Sequence, residues 1–118
     1  MAVATGPMTT ADLCDRFGTD AQVCRAPLQS YGGRGTAWGV IECVQCFEDA
    51  ALLRQVLSQP GEGRILVVDG GGSTQAAIFG DNMALLAIER GWQGLVIHGA
   101  VRDVERLRSL DLAVLAMG

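Results

Sequence analysis

The chain has 118 residues, 49% hydrophobic and 19% charged, with 16 glycines, a composition that fits one soluble α/β domain and argues against disorder. Its net charge of −4 speaks against generic nucleic-acid binding, which works by neutralising phosphates. All nine basic residues are arginine, so no lysine of this chain can form a Schiff base, and His98 alone cannot build a multi-histidine zinc site.

The opening MAVATGPM has neither a basic start nor an apolar core, and no apolar run approaches the ~18 residues of a membrane helix. A cytoplasmic location is expected by default. Thr9 is a plausible N-cap, with Asp12 at N3, for a short helix through Phe17 that Gly18 stops. Leu13 and Phe17, four apart, are expected to face inward. Pro27 marks an edge strand or loop. In Tyr31-Gly-Gly-Arg-Gly35, Arg34 could hold an anion, but the glycines read more simply as hairpin punctuation.

A strand is expected over about 36–46. It contains Cys43-Val-Gln-Cys46, formally a CxxC. Residues three apart on a strand point to opposite faces, so the thiols should not converge, and the four cysteines read as buried thiols. Glu48 and Asp49 open a helix to about Ser58, with Leu52, Leu53, Val56 and Leu57 at helical spacing. Pro60-Gly-Glu-Gly63 is a stop. Arg64–Asp69 reads as a central strand. Gly70–Gly72 lacks both GxGxxG and P-loop spacing, so the glycines are expected to permit close backbone packing, with Asp69 supporting either a site or a turn.

Residues 74–79 are expected to form a short helix ended by Gly80. Asp81 then caps an apolar, buried helix from about Asn82 to Arg90. Leu95–His98 is a second central strand, 103–109 a polar helix, and Leu112–Met117 a last strand. The alternation from residue 36 onward implies a layered α/β fold, at least partly parallel. A chain ending on an apolar strand suggests a single domain over 1–118, truncated at its C-terminus.

Strand ends and helix starts are where such folds gather ligand groups. Asp81, Arg102 and Asp103 sit at such points, with twenty residues between Asp81 and Arg102. A guanidinium matches a carboxylate bidentately, and a neighbouring aspartate is a hard ligand suited to Mg²⁺ or Mn²⁺. The free N–H groups at the start of the 81–90 helix, including those of Met83 and Ala84, add an anion site. Spacing alone slightly favours the plainer reading, with Asp81 an N-cap and Arg102–Asp103 a helix-start surface pair, because such residues are common at helix starts.

The stretches FGTD, YGGRG, CFEDAALL, GEGRILVVDGGGS, GDNMALLAIERGWQGLVIHGAVRD and LDLAVLAMG resemble the RraA-like family. That family includes class II 4-hydroxy-4-methyl-2-oxoglutarate aldolases and proteins described as regulators of ribonuclease E. The resemblance implies a swivelling β/β/α fold and a homotrimer with its site near a subunit interface. It implies that Gly80, Asp81, Asn82 and Met83 line the substrate site, that Arg102 binds the substrate carboxylate, and that Asp103 holds a divalent metal. Related chains continue past LAMG, and that region can supply an acidic group to a neighbouring subunit.

The implied activity suits a chain without lysine. Retro-aldol cleavage or oxaloacetate decarboxylation leaves a pyruvate enolate, and a metal chelating the 2-oxo acid replaces the Schiff base as electron sink. Asp81 is then expected to help move protons. The expectation is a metal-dependent lyase acting on a small 2-oxo acid. The alternative is a non-catalytic protein that docks on a ribonuclease E-type partner. Neither reading calls for direct nucleic-acid or membrane contact. The apolar 82–88 stretch and 112–117 strand, more than one small domain need bury, are taken as support for the trimer.

Overall fold

The computed structural model describes residues 10–22, 24 and 26–118. Four parallel strands form the body of the main sheet: β2 (Ile41–Gln45), β3 (Ile65–Asp69), β5 (Gly94–His98) and β7 (Ala113–Ala116). The two-residue β1 (Gln29–Ser30) adds antiparallel to β7, giving the order β1-β7-β5-β3-β2. Three helices occupy the crossovers: α2 (Ala50–Leu57), α3 (Asp81–Glu89) and α4 (Val104–Leu107). Two short strands also arise there, β4 (Ala77–Phe79) and β6 (Ala100–Val101), and they pair with each other in parallel. The α/β class read from the sequence is the class found.

The register is in phase across the sheet. Leu66 pairs with Leu95 and Val68 with Ile97, and Leu95 pairs with Val114. Period-two alternation therefore stacks these side chains on one face, where Leu53 and Leu57 of α2, Ala84 and Ala87 of α3, and Leu107 of α4 cover them. All are at most 1% exposed. The i, i+4 pair Leu53–Leu57 faces the core, while Ala50, Ala51 and Arg54 remain outside. Trp92 closes one end, its indole N–H donating to the Leu57 carbonyl at 3.2 Å.

Several expectations need correction. The strand expected over 36–46 is regular only from Ile41 to Gln45. The helix expected over 74–79 does not form: residues 74–76 are irregular and Ala77–Phe79 is β4, paired with β6. Asp81 is the first residue of α3 and Gly80 is its N-cap. The strand run 112–117 is interior, between β1 and β5. Of the four cysteines only Cys46 is buried; Cys24 and Cys43 are exposed.

The first helix, α1 (Thr10–Phe17), ends at Gly18, whose φ of +55° suits a stop, and a 3₁₀ turn follows. The cap expected at Thr9 lies outside the described residues. Leu13 and Phe17 do not join the main core. They line a separate groove with Cys14, Asp20, Ala21, Gln22 and Cys24.

Gly32 and Gly33 do not punctuate a hairpin, since β1 and β2 lie on opposite edges of the sheet. A methyl group at Gly32 would collide with the Leu112 carbonyl oxygen, and one at Gly33 with that of Leu110. The glycines let the loop lie directly on the 110–112 backbone. Arg34 is held beyond them by Gln93 Oε1 at 2.9 Å and Asp111 at 3.6 Å, so it serves the fold.

Gly32→Ala is therefore expected to lower stability by about 1–3 kcal/mol, the usual range for overpacking. Gly35→Ala, with nothing within 4 Å of the added carbon, should change it by less than about 0.5 kcal/mol. Urea unfolding of the two variants measures the difference.

Candidate functional site

The β4–β6 pair brings residues 77–80 alongside 100–103. The Arg102 backbone N–H donates to the Phe79 carbonyl at 2.9 Å, so Gly80 lies next to Arg102 although 22 positions separate them. A β-carbon at Gly80 would sit 2.7 Å from Asp103 Oδ2 and 3.1 Å from both Cγ and Nε of Arg102. At φ −147° the Gly80 backbone would accept any residue. A side chain at Gly80 would press on these two side chains, which would have to shift to make room.

Asp103 Oδ2 accepts a hydrogen bond from the Asp81 backbone N–H at 3.3 Å. The carboxylate thus caps α3 from another part of the chain, where Gly80 has no side chain to do so. Arg102 Nε lies 3.8 Å from the same oxygen, with side-chain exposures of 73% for Arg102 and 42% for Asp103. An ion pair this open contributes little stability. Asp103 itself adopts the left-handed conformation, φ +59° and ψ +41°, which aspartate tolerates better than most residues.

A cavity of about 410 Å³ opens at this corner, within the size range of small-molecule sites. Gly80, Asp81, Asn82, Met83 and Arg102 line it, together with Ala77–Phe79 of β4 and Ala50, Ala51 and Arg54 of α2. The first turns of α2 and α3 both face it, so two helix N-termini add positive potential beside two guanidinium groups. Asp81 belongs to the lining; Asp103 does not, though its Oδ2 lies against the Asp81 N–H and Gly80, which do. Asp49 caps α2, accepting from the Leu52 N–H at 3.0 Å.

The residues singled out from the sequence therefore come together at one place. The contribution of α2 was not foreseen. The helical spacing singles out Leu52, Leu53, Val56 and Leu57 and says nothing of Ala50, Ala51 and Arg54; the packing of α2 against β4 makes these three part of the cavity wall.

The donors suit a hard cation. Asp103 Oδ1 makes no hydrogen bond or ion pair among the described residues. No group of three or more His, Cys, Asp or Glu side chains gathers to hold a metal among those residues. A cation here would rest on one or two carboxylates and water, the coordination Mg²⁺ favours.

The carboxyl ends of β3 and β5 form a different corner. Asp69 Oδ1 accepts from the Gly71 N–H at 2.9 Å, and His98 Nδ1 stands 4.0 Å from that oxygen. Gly71 and Gly72 have φ of +70° and +73°, and β-carbons on them would press on Phe47 and the His98 ring. Asp69 is thus a turn residue, and the glycines serve close packing as expected.

A family model, Aldolase/RraA, matches residues 10–118. The chain belongs to the RraA-like family. It is 46% identical over 109 residues, 92% of this chain and 68% of the relative, to a protein of Vibrio cholerae serotype O1 whose name proposes 4-hydroxy-4-methyl-2-oxoglutarate aldolase activity. It resembles the solved RNA-processing inhibitor RraA from Thermus thermophilis at 42% identity and TM-score 0.88, covering 94% of this chain and 67% of that one. A Geobacillus kaustophilus structure described as an S-adenosylmethionine:2-dimethylmenaquinone methyltransferase matches at 46% identity and TM-score 0.91, covering 94% and 69%. The RraA-like fold is thereby shared, under three different functional names.

In the CxxC segment, Cys43 is exposed and Cys46 buried. Burial raises the Cys46 thiol pKa, and the charges of Asp49 and Asp69 raise it further. A folded-state pKa above the unfolded value stabilises the protein fully below the unfolded pKa, about 8.5. That contribution fades as pH rises through the folded value. The difference in urea midpoint between the native chain and Cys46→Ala should therefore shrink above about pH 8.5.

Proposed function

We propose that the cavity at Gly80–Met83 and Arg102 is the active site of a divalent-metal-dependent lyase. It would cleave 4-hydroxy-4-methyl-2-oxoglutarate to pyruvate, with oxaloacetate decarboxylation as a side activity. The observation that carries this reading is the joining of Arg102, Asp103 and the α3 N-terminus across Gly80, in a chain without lysine.

Arg102, 73% exposed at the cavity wall, offers its planar fork to the carboxylate beside the keto group. The N-terminal N–H groups of α3 face the same anion. Asp103 would hold Mg²⁺ or Mn²⁺; when bound, such a cation would supply Lewis-acid polarisation of the 2-oxo acid. Asp81, directly or through one water, takes the proton from the C4 hydroxyl as the C3–C4 bond breaks. The bonding electrons pass toward the 2-oxo group, and C3 is then protonated to give the methyl group of one pyruvate. C4 becomes the keto carbon of the other.

A second reading is favoured by the likeness to the RNA-processing inhibitor RraA: a non-catalytic regulator that binds a ribonuclease E-type partner. Asp103→Asn would abolish lyase chemistry and leave a docking surface in place. Methyl transfer is not adopted, because Gly70–Gly72 is packed against Phe47 and His98 and lacks nucleoside-binding spacing.

A homotrimer is proposed with the lyase. Its support differs from that taken from the sequence, since Met83, Ala84, Val114 and Ala116 are already buried within the chain. The exposed apolar residues Trp38, Val40, Ile41 and Leu115 are the better candidates for contact between subunits. Light scattering should show the trimer, and a monodisperse monomer at high concentration would count against it.

Pyruvate release in a coupled assay should cease with chelator and return with Mg²⁺ or Mn²⁺. Full activity in excess chelator would overturn the metal-dependent reading. Arg102→Lys keeps charge but loses the fork and should chiefly raise KM. Asp103→Asn suits the same left-handed backbone but removes the anionic ligand, so it should chiefly lower kcat and weaken Mg²⁺ dependence. Each should cost at least about tenfold, or about 1.4 kcal/mol, with thermal melts unchanged. Wild-type kinetics in both would reduce the pair to a helix-start ion pair.

A further inference from the structure

We propose that Arg54 is a specificity-determining residue that receives the distal carboxylate of a dicarboxylic 2-oxo acid, while Arg102 receives the carboxylate beside the keto group. The proposal rests on the reading of the cavity as a 2-oxo acid site and says which members of that class it prefers.

Arg54 lines the cavity from α2, whereas Arg102 enters from the corner after β6. Two guanidinium groups from separate elements thus serve one cavity of about 410 Å³, more than a single carboxylate needs. Arg54 is exposed and its guanidinium has no hydrogen-bond or ion-pair partner among the described residues. Arg34 and Arg64, in contrast, are held by Gln93 and Asp111 and by Glu42 and nearby carbonyls.

The helix geometry favours the role. Side chains on a helix lean toward its N-terminus, so Arg54 leans over Ala50 and Ala51, one turn back on the same face. Both alanines also line the cavity, and their small side chains leave room there for a ligand. Asp49, the residue that could compete for the guanidinium at this end of α2, has its Oδ1 engaged by the Leu52 N–H. A substrate with two carboxylates would have two cations in the lining to meet, one from α2 and one from the corner after β6. A monocarboxylic acid such as pyruvate would use Arg102 alone.

The test is calorimetric binding in Mg²⁺ of two non-cleavable probes, 2-oxoglutarate and pyruvate, to the native chain, Arg54→Gln, Arg54→Lys and Arg90→Gln. Arg54→Gln should weaken 2-oxoglutarate by about tenfold or more, the weight of one charge-assisted hydrogen bond, and change pyruvate by less than about twofold. Arg54→Lys should fall between, and Arg90→Gln, remote from the lining, should match the native chain. In turnover, Arg54→Gln should raise KM for 4-hydroxy-4-methyl-2-oxoglutarate with kcat largely kept. Equal weakening of both probes, or none, overturns the role of Arg54 while leaving the 2-oxo acid site standing. If the native chain binds neither probe, the site reading fails and the proposal with it.

Discussion

Parallel pairing is the constraint on which this structure depends. A parallel strand cannot return through a tight hairpin, so β2, β3, β5 and β7 must be joined by crossovers long enough to cross the sheet. In this chain each crossover carries a helix, and the apolar faces of those helices are buried by the in-phase rows of Leu66, Val68, Leu95 and Ile97. The second and third crossovers have residues to spare before their helices. Those residues form β4 and β6, and because both crossovers leave the same end of the sheet, the two short strands find each other. The candidate site is a product of that meeting.

At the meeting point, one carboxylate has two duties. Asp103 caps α3 through Oδ2, at a long 3.3 Å, and leaves Oδ1 open for a ligand. A cap at that distance is weak, so little stability is tied to the group that the chemistry would use. Gly80 makes the arrangement possible by having no side chain between Asp103, Arg102 and the helix start. The left-handed backbone at Asp103 is a sparsely populated conformation at a candidate site, where such conformations tend to gather. It turns the chain sharply between β6 and α4, so that Arg102 and Asp103 reach the same corner.

The RraA-like relatives share a fold at TM-scores of 0.88 and 0.91 yet are named as an RNA-processing inhibitor and a methyltransferase. A fold shared so widely carries no single activity, and function must be argued from the site. The candidate site here has arginines from two elements, Arg54 of α2 and Arg102 after β6, with Asp81 in its lining. An inhibitor that works by docking would depend on outer surfaces and not on this cavity, and the two kinds of surface can evolve apart.

The meeting of Gly80–Met83 with Arg102 and Asp103 was implied only by the family resemblance; the sequence by itself determined the α/β class, the strands β3 and β5, and the faces of α2. Those features rest on local patterning: β-branched runs, helical spacing, and residues at strand ends and helix starts, all of which act within a few positions of chain. It failed where a partner decided the outcome. Residues 74–79 read as a helix, yet Ala77–Phe79 is a strand because Ala100–Val101 lies alongside. Leu13 and Phe17 have inward spacing, but spacing cannot say what surface is offered, and α1 finds no place in the main core. Gly32 and Gly33 look like a hairpin turn until the 110–112 backbone is laid against them. Arg54 is one charge on a polar helix face, and only the docking of α2 on β4 places it at the cavity. Tertiary packing decided each of these, because the atoms that select the conformation lie more than twenty residues away in the chain.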